Sequence, residues 1–304
     1  MLARSASGHA IVRLWQSGMV KPGALAGEST SRFSVRTSVM HSLLAAVSTP
    51  VIDLAWLDGP GLRYGAIALV FVLAGMVKGV VGLGLPTVAM SLLALMMPSA
   101  QAAALLVVPS LITNIWQIRP WHSAAPVLRR MAPMQIGICA GTGFGAIVFG
   151  APAGAWTAVL LGAVLVLYAV WGLFGKPLHI GRSTERWMGP VVGAVTGTVT
   201  SVTGVFVVPA VPYMQSLGMT RDELIQAMGV AFTVSTLALG IALAANGMYS
   251  VSVAGTSAFM LVPALVGMSL GQRLRQRLSP AVFRICFFGS LAILGVYMIL
   301  GASA

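Results

Sequence analysis

Residues 75–90 read GMVKGVVGLGLPTVAM and place a lysine and four glycines inside a long apolar segment. Lys78 lies about 24 Å along the segment that begins at residue 62, at the helical rise of about 1.5 Å per residue. A basic side chain at that depth is costly unless it faces a cavity or a partner. The apolar core contains no Asp or Glu, so the sequence predicts an anionic ligand or helix carbonyls beside Lys78. The alternative is a side chain that snorkels to a lipid headgroup.

The glycines after Lys78 predict a break in the helix within the membrane. Gly82 and Gly84 permit tight turns, and Pro86 suits the first turn of a new helix because it needs no backbone donor there. The free amides of that new helix, its positive dipole end and the hydroxyl of Thr87 would attract negative charge. A second break of similar character comprises Thr200, Ser201, Thr203 and Gly204. The competing interpretation is that these small residues serve helix packing.

Three amide side chains are further candidates for the substrate site. Asn114 and Gln117 are three residues apart and share a helical face, and Gln226 lies in the corresponding segment of the second half. They could donate to ligand oxygens or form ordinary hydrogen bonds between membrane helices.

The composition favours a helical membrane protein. Of the 304 residues 58% are hydrophobic and 8% charged, whereas a soluble domain carries about 25% charged residues. Apolar runs near the roughly 20 residues of a spanning helix occur around 62–77, 132–149, 155–174, 222–246, 251–270 and 283–300. The alternating pattern of a membrane β-barrel is absent. We therefore predict an all-α polytopic membrane protein.

Basic loops predict its orientation, because positive residues mark the cytoplasmic side. The basic loops contain Arg119, Arg129 and Arg130, then Lys176, Arg182 and Arg186, then Arg273, Arg275, Arg277 and Arg284. The loops at 150–154 and 246–250 are uncharged and are predicted outside, which also leaves the C-terminus outside.

The charge pattern further predicts two inverted-topology repeats. Residues 187–216 are flanked by basic residues at both ends, so a re-entrant hairpin explains them better than one crossing. Residues 62–97 are interpreted as a second hairpin from the opposite side, although residues 62–77 could also cross fully. Each repeat, 61–175 and 187–302, would hold one broken-helix hairpin and three crossing helices. The sequences GMVKG at 75–79 and GAVTG at 193–197 support this symmetry, which is typical of secondary transporters.

Residues 1–60 differ from the rest and are predicted to form a basic, partly disordered extension. Their Arg-rich, Ser-rich and acid-poor character overlaps with a targeting peptide, and a start at Met40 is an equally good interpretation. Residues 42–57 suit an interfacial or partly inserted helix.

The residue inventory speaks against several classes of function. The net charge of +12 lacks the interleaved aromatics of a nucleic-acid surface. The four histidines lie far apart, and Cys139 and Cys286 are single residues that we expect to be small buried side chains, so no metal or other cofactor is predicted. Acid–base catalysis needs paired ionisable groups, and the core supplies one lysine, so we predict that the protein is not an enzyme.

The two glycine- and threonine-rich segments resemble a known family. GMVKGVVGLGLPTVAMSLLALMMPSAQAAALLVVPSLITNIWQ at 75–117 and GAVTGTVTSVTGVFVVPAVPYMQSLGMTRDEL at 193–224 are similar to the two signatures of the TauE/SafE sulfite exporters. The resemblance extends over roughly residues 62–302 and implies an inner-membrane permease of two inverted halves that carries sulfite, sulfonates or related sulfur-containing organic anions. The residues matching the motifs are Lys78, Gly79, Gly82, Gly84, Thr200, Thr203, Gly204 and Pro209. The sequence Gly82-Leu-Gly84-Leu-Pro86 departs from the family's usual triple glycine.

The sequence as a whole therefore predicts a secondary transporter for a small anion in a lipid bilayer. A transporter of another organic anion, a membrane-embedded enzyme and an assembly subunit are the alternatives, and a homo-oligomer is left open. Without an acid in the core to carry protons, uniport or transport driven by the membrane potential is favoured over proton coupling.

Overall fold

The computed structural model describes residues 60–303 except 122–123, 151, 153, 176–178, 276 and 278. The predictions for the N-terminal extension, its interfacial helix and Met40 lie outside these residues. The described residues contain α-helices and no strand. The helices are α1 (Pro60–Val81), α2 (Leu85–Leu93), α3 (Ser99–Gln117), α4 (Ala124–Phe149), α5 (Ala155–Phe174), α6 (Arg182–Thr203), α7 (Ala210–Gln215), α8 (Arg221–Ala245), α9 (Val251–Phe259), α10 (Leu261–Arg275) and α11 (Pro280–Ser303).

Seven helical segments of the described chain are long and apolar enough to cross a bilayer. They are Gly61–Val81, Ser99–Gln117, Ala124–Phe149, Trp156–Phe174, Arg221–Ala245, Val251–Arg275 and Ala281–Gly301. The predicted all-helical, multi-pass membrane class is thereby confirmed. Helix α6 is not among the seven, because its first turns carry Arg182, Glu185 and Arg186 and its second half is rich in threonine.

The chain breaks at both predicted places. Between α1 and α2, Gly82 and Gly84 adopt φ values of +86° and +107°, which side chains disfavour, and Pro86 stands in the first turn of α2. After α6, Gly204 adopts a φ of +69° and begins a non-helical segment that ends at α7. A helix cannot continue through these glycine conformations, so each break starts a new helix.

Each broken helix pair begins and ends at one end of the bundle. Arg63 and Tyr64 at the start of α1 line the same cavity as Met96 and Met97, which follow α2. Across the second pair, Ile180 N–H before α6 donates to the carbonyl of Ser216 after α7 at 2.9 Å. The chain therefore turns back on itself in both segments.

Facing glycines bring two helix pairs into backbone contact. A side chain on Gly75 or Gly79 of α1 would collide with the carbonyl oxygens of Ala264 and Met268 of α10. From the α10 side, Gly267 and Gly271 lie against the carbonyls of Val72 and Met76. This is the close approach that glycines spaced four apart permit between membrane helices.

The pair α4 and α6 repeats this arrangement. A side chain on Gly193 or Gly197 of α6 would collide with the carbonyls of Met134 and Ile138 of α4. The reciprocal glycines of α4 are Gly137 and Gly141, which lie against Pro190 and Ala194. Both broken helices are thus held by a helix from the other half of the sequence.

Helices α3 and α8 pack against each other and form the most buried part of the bundle. Helices α5 and α11 pair at the periphery. The cysteines differ from expectation: Cys139 on α4 and Cys286 on α11 are exposed on the surface of the bundle rather than buried. Their helices turn the glycine-rich or aromatic faces inward, which leaves these small side chains on the face that lipid would cover.

Candidate functional site

Lys78 lies in the last turn of α1 and is buried, with 4% of its surface exposed. Its amine donates a hydrogen bond to Asn114 Oδ1 on α3, and Asn114 is fully buried. The Nδ2 group of Asn114 has no hydrogen-bond partner among the described residues. Lys78 therefore does not snorkel to the surface, no carboxylate of the described residues contacts it, and its partner is a neutral amide.

The Lys78 side chain lines a cavity of about 590 Å³. Its apolar lining includes Trp116, Ile225 and Met268, and its polar lining consists of Lys78, Thr113, Gln117, Gln272 and Arg275. Gln272 and Arg275 are exposed at the end of α10, so the cavity opens there. We call this the basic end of the bundle, because the last turn of α10 carries Arg273 and Arg275. No Asp or Glu is among the described residues that line it. The cavity therefore combines two basic groups, amides and an apolar wall, a composition suited to a small anion.

The predicted residues of the first half are partly assembled here. Lys78, Gly82 and Gln117 line the cavity, and Asn114 joins them through its bond to Lys78. Gln117 also donates from Nε2 to the carbonyl of Ile225 at 3.2 Å, which ties α3 to the start of α8. Gly84 and Thr87 stand next to the cavity in the chain but do not line it.

Thr87 and Gly84 have different environments at the start of α2. Gly84 caps the helix in a left-handed conformation beside Val77 and Phe287. Thr87 is fully buried, and its hydroxyl has no partner among the described residues. The predicted donor of Thr87 is thus free, although it is enclosed by protein in this conformation.

The predicted residues of the second half lie elsewhere. The hydroxyls of Thr200, Ser201 and Thr203 donate to carbonyls of their own helix at 2.7–2.8 Å. This common pattern satisfies a buried hydroxyl without any ligand. A Cβ on Gly204 would lie 2.9 Å from Met90 Sδ and 3.4 Å from the Ala103 Cβ. The second break therefore packs against α2 and α3 of the first half rather than lining the 590 Å³ cavity.

Gln226 also lies outside that cavity. Its Nε2 group donates to the carbonyl of Pro120 at 3.1 Å and joins α8 to the loop after α3. This contact between helices matches the packing alternative stated for the amides.

Residues of α10 were missing from the sequence prediction. Gln272 and Arg275 line the cavity, whereas the sequence indicates only that their segment lies on the cytoplasmic side. The available signal was an amide within a cluster of arginines at a helix end. That signal is weak, because basic clusters of this kind are expected at every cytoplasmic loop.

An ion pair holds the second broken segment at the basic end. Arg130 of α4 contacts both oxygens of Glu185, with Nε–Oε1 and Nη2–Oε2 distances of 2.7 and 2.8 Å. Its Nη2 group also donates to the carbonyl of Leu217 at 2.9 Å. Because Glu185 lies at the start of α6 and Leu217 follows α7, one guanidinium fixes both limbs of the segment to α4.

A second cavity of about 760 Å³ lies at the opposite end of the bundle. Its lining includes Arg63 and Gln101, together with Met248 and Ser250 near the loop after α8. The two cavities are approached from opposite ends, and α3 contributes residues to both. No group of three or more His, Cys, Asp and Glu side chains that could hold a metal occurs within the described part of the chain.

Comparison with known proteins adds one match. The family model described as "Sulfite exporter TauE/SafE" matches residues 67–298, which include both broken segments and the cavity. No curated protein and no solved structure matched the chain.

Proposed function

Because the chain belongs to the TauE/SafE sulfite exporter family, a family of membrane transporters, we propose that it is a secondary transporter for a small anion. The anion is sulfite, a sulfonate or a related sulfur-containing organic anion. The observation that carries this proposal is Lys78, a buried amine that lines a cavity and is bonded to a neutral amide.

Electrostatics favours an anion as the partner of Lys78. A buried charge is costly unless it is paired, and the described lining offers no carboxylate. An oxyanion in the cavity would supply the missing negative charge and could accept hydrogen bonds from Lys78, Gln272 and Arg275. The apolar wall at Trp116 and Met268 would accommodate the organic group of a sulfonate.

We propose that residues 61–175 and 187–302 form two inverted halves, each with a re-entrant hairpin. The reciprocal helix contacts support this arrangement: α1 packs on α10 through facing glycines as α6 packs on α4. The pairs α3–α8 and α5–α11 would lie on the axis that relates the halves. Such repeats commonly place the substrate between them near the bilayer midplane.

The basic end is proposed to face the cytoplasm of a bacterial-type inner membrane, with the C-terminus outside. The 590 Å³ cavity would then be open to the cytoplasm. A membrane potential that is negative inside drives an anion outward by about 2.3 kcal/mol per charge per 100 mV. This direction fits export without a coupled proton.

The test is flux of labelled sulfite and methanesulfonate in vesicles that contain only the purified protein. Lys78→Ala should lower the initial rate by about tenfold or more, because the charge that attracts the anion is removed. Asn114→Asp is nearly isosteric and should lower the initial rate to a similar extent, since a carboxylate would neutralise Lys78 in place of the substrate.

Arg284→Ala serves as the matched control, because Arg284 is an exposed basic residue of α11 at the same end and does not line the cavity. It should retain wild-type flux. Full activity of a folded Lys78→Ala variant would remove Lys78 from the mechanism. An inactive wild type would instead support the assembly-subunit alternative.

A further inference from the structure

Most buried hydroxyls of the bundle are satisfied by their own helices. Ser91, Thr113 and Thr236 donate to the carbonyl four residues earlier at 2.5–2.7 Å, and Thr200 of α6 does the same. Four buried hydroxyls of the described residues are exceptions without a hydrogen-bond partner: those of Thr87, Thr142, Ser110 of α3 and Ser235 of α8. Ser110 and Ser235, each 1% exposed, lie on the two most buried helices of the bundle. A buried polar group without a partner costs about 1–3 kcal/mol, so two such serines require an explanation.

The two serines lie at the same level of the bundle. Helices α3 and α8 are antiparallel, because contacts that move up the number of α8 move down the number of α3. Gln117 bonds to the carbonyl of Ile225, and a Cβ on Gly229 would lie 3.2 Å from the carbonyl oxygen of Asn114. A Cβ on Gly240 would lie 3.3 Å from Val107 Cγ1. Ser110 stands between Val107 and Asn114. Ser235 stands between Gly229 and Gly240 at the matching height.

That level separates the two cavities. On α3, Leu105 lines the 760 Å³ cavity and Thr113 lines the 590 Å³ cavity, about 12 Å apart along the helix axis at 1.5 Å per residue. Ser110 is the only polar residue of the stretch between them, LVVPSLI at 106–112. On α8, Ser235 likewise lies between Ile225, which lines the 590 Å³ cavity, and the loop after α8, which lines the 760 Å³ cavity.

We propose that Ser110 and Ser235 form a second anion station in the barrier between the cavities, about 6 Å beyond Lys78 and Asn114 along α3. This inference rests on the proposed transport function. The Nδ2 group of Asn114 has no hydrogen-bond partner among the described residues and is a further neutral donor for the anion at the Lys78 end of this route. The station has neutral donors alone, and its hydroxyls contact the anion after the barrier opens.

A neutral second station has a clear physical role. An anion held by a buried ammonium binds well but leaves slowly, and transport requires binding weak enough for release. Two hydroxyls can replace part of the anion's hydration without adding another charge. The anion therefore has a stepwise route from Lys78 to the opposite cavity.

The test separates binding from translocation in proteoliposomes with labelled sulfite. The Ser110→Ala, Ser235→Ala double variant should lower the maximal rate by about tenfold and leave KM for the Lys78 cavity nearly unchanged. Ser91→Ala and Thr236→Val are matched controls, because they remove buried hydroxyls that are bonded to their own helices. Both controls should transport at the wild-type rate.

The outcomes distinguish this inference from the proposed function. If the wild type and controls transport and the double serine variant keeps its maximal rate, the second station is wrong while the Lys78 site stands. If the controls lose as much of the maximal rate as the double serine variant, the loss reflects general packing damage, and the second station is again wrong. If the wild type moves no anion, the proposed function fails and the station fails with it.

Discussion

At the scale of single residues, the partner of Lys78 sets the chemistry of the cavity. A carboxylate beside the amine would give a neutral pair with little attraction for an anion. Asn114 instead accepts a hydrogen bond and brings no negative charge that would compete with an anionic ligand. Its uncharged amide also presents a second donor toward a ligand. The hydrogen bond to Asn114 therefore positions the Lys78 amine and leaves it available to bind an anion.

Arg275 should act on encounter rather than on tight binding. It lines the cavity but is exposed, so its field is screened by solvent and salt. We expect Arg275→Gln to raise KM for sulfite by about threefold at low ionic strength and by less at high ionic strength. Initial rates over a range of sulfite concentrations measure this change.

Arg273→Gln is the matched control, since Arg273 is exposed on the same helix and does not line the cavity. It removes the same charge two residues away. An equal rise of KM in both variants would show that the general charge of this end matters and that the position of Arg275 does not.

At the scale of elements, glycine contacts and one ion pair hold the two broken segments. The backbones of α1 and α10 and of α4 and α6 approach so closely that a Cβ does not fit. The Arg130–Glu185 pair adds a polar tie at the basic end of α6 and α7. The turns of the hairpins contain glycine and no charged residue, so their positions depend on these lateral contacts.

The close approach of α4 and α6 predicts a strong dependence on position within one helix. Gly141→Leu should destabilise the protein by about 2 kcal/mol or more, because the new side chain would collide with the Ala194 carbonyl. Gly143→Leu should be nearly neutral, since a Cβ there meets nothing within 4 Å. The stability of the two variants is compared by heating them in detergent and measuring the fraction of protein that stays monodisperse. Equal stability of the two variants would contradict the close contact between α4 and α6.

At the scale of the whole molecule, two cavities lie at opposite ends of the bundle, and their lining residues Leu105 and Thr113 are about 12 Å apart along α3. Lys78 and Arg275 line the 590 Å³ cavity, and Arg63 lines the 760 Å³ cavity. Because α1 packs on α10 and α6 packs on α4, we propose that a small rotation of one sequence half moves both hairpin turns together. Alternating access of the two cavities to the barrier would follow from that motion.

The opposite openings can be tested by labelling from each side of the membrane. In a background without Cys139 and Cys286, Gln272→Cys should react with an impermeant maleimide from the cytoplasmic side. Met248→Cys should react from the other side, because it lines the other cavity. Methanesulfonate should slow labelling of Gln272→Cys by about twofold or more if it occupies the cavity. Labelling of both positions from one side would contradict the proposed topology.

The composition and the charge pattern were sufficient to predict the helical membrane class, and glycine positions were sufficient to predict where helices break. Those properties are local, since apolar length and backbone freedom depend on few neighbouring residues. The contacts of each polar group were not predictable in this way. Thr200 and Ser235 are both hydroxyls in apolar segments, but Thr200 is bonded to its own helix and Ser235 is not. Arg275 becomes a lining residue through the packing of α10 on α1, which joins residues far apart in the chain and therefore depends on the folded bundle.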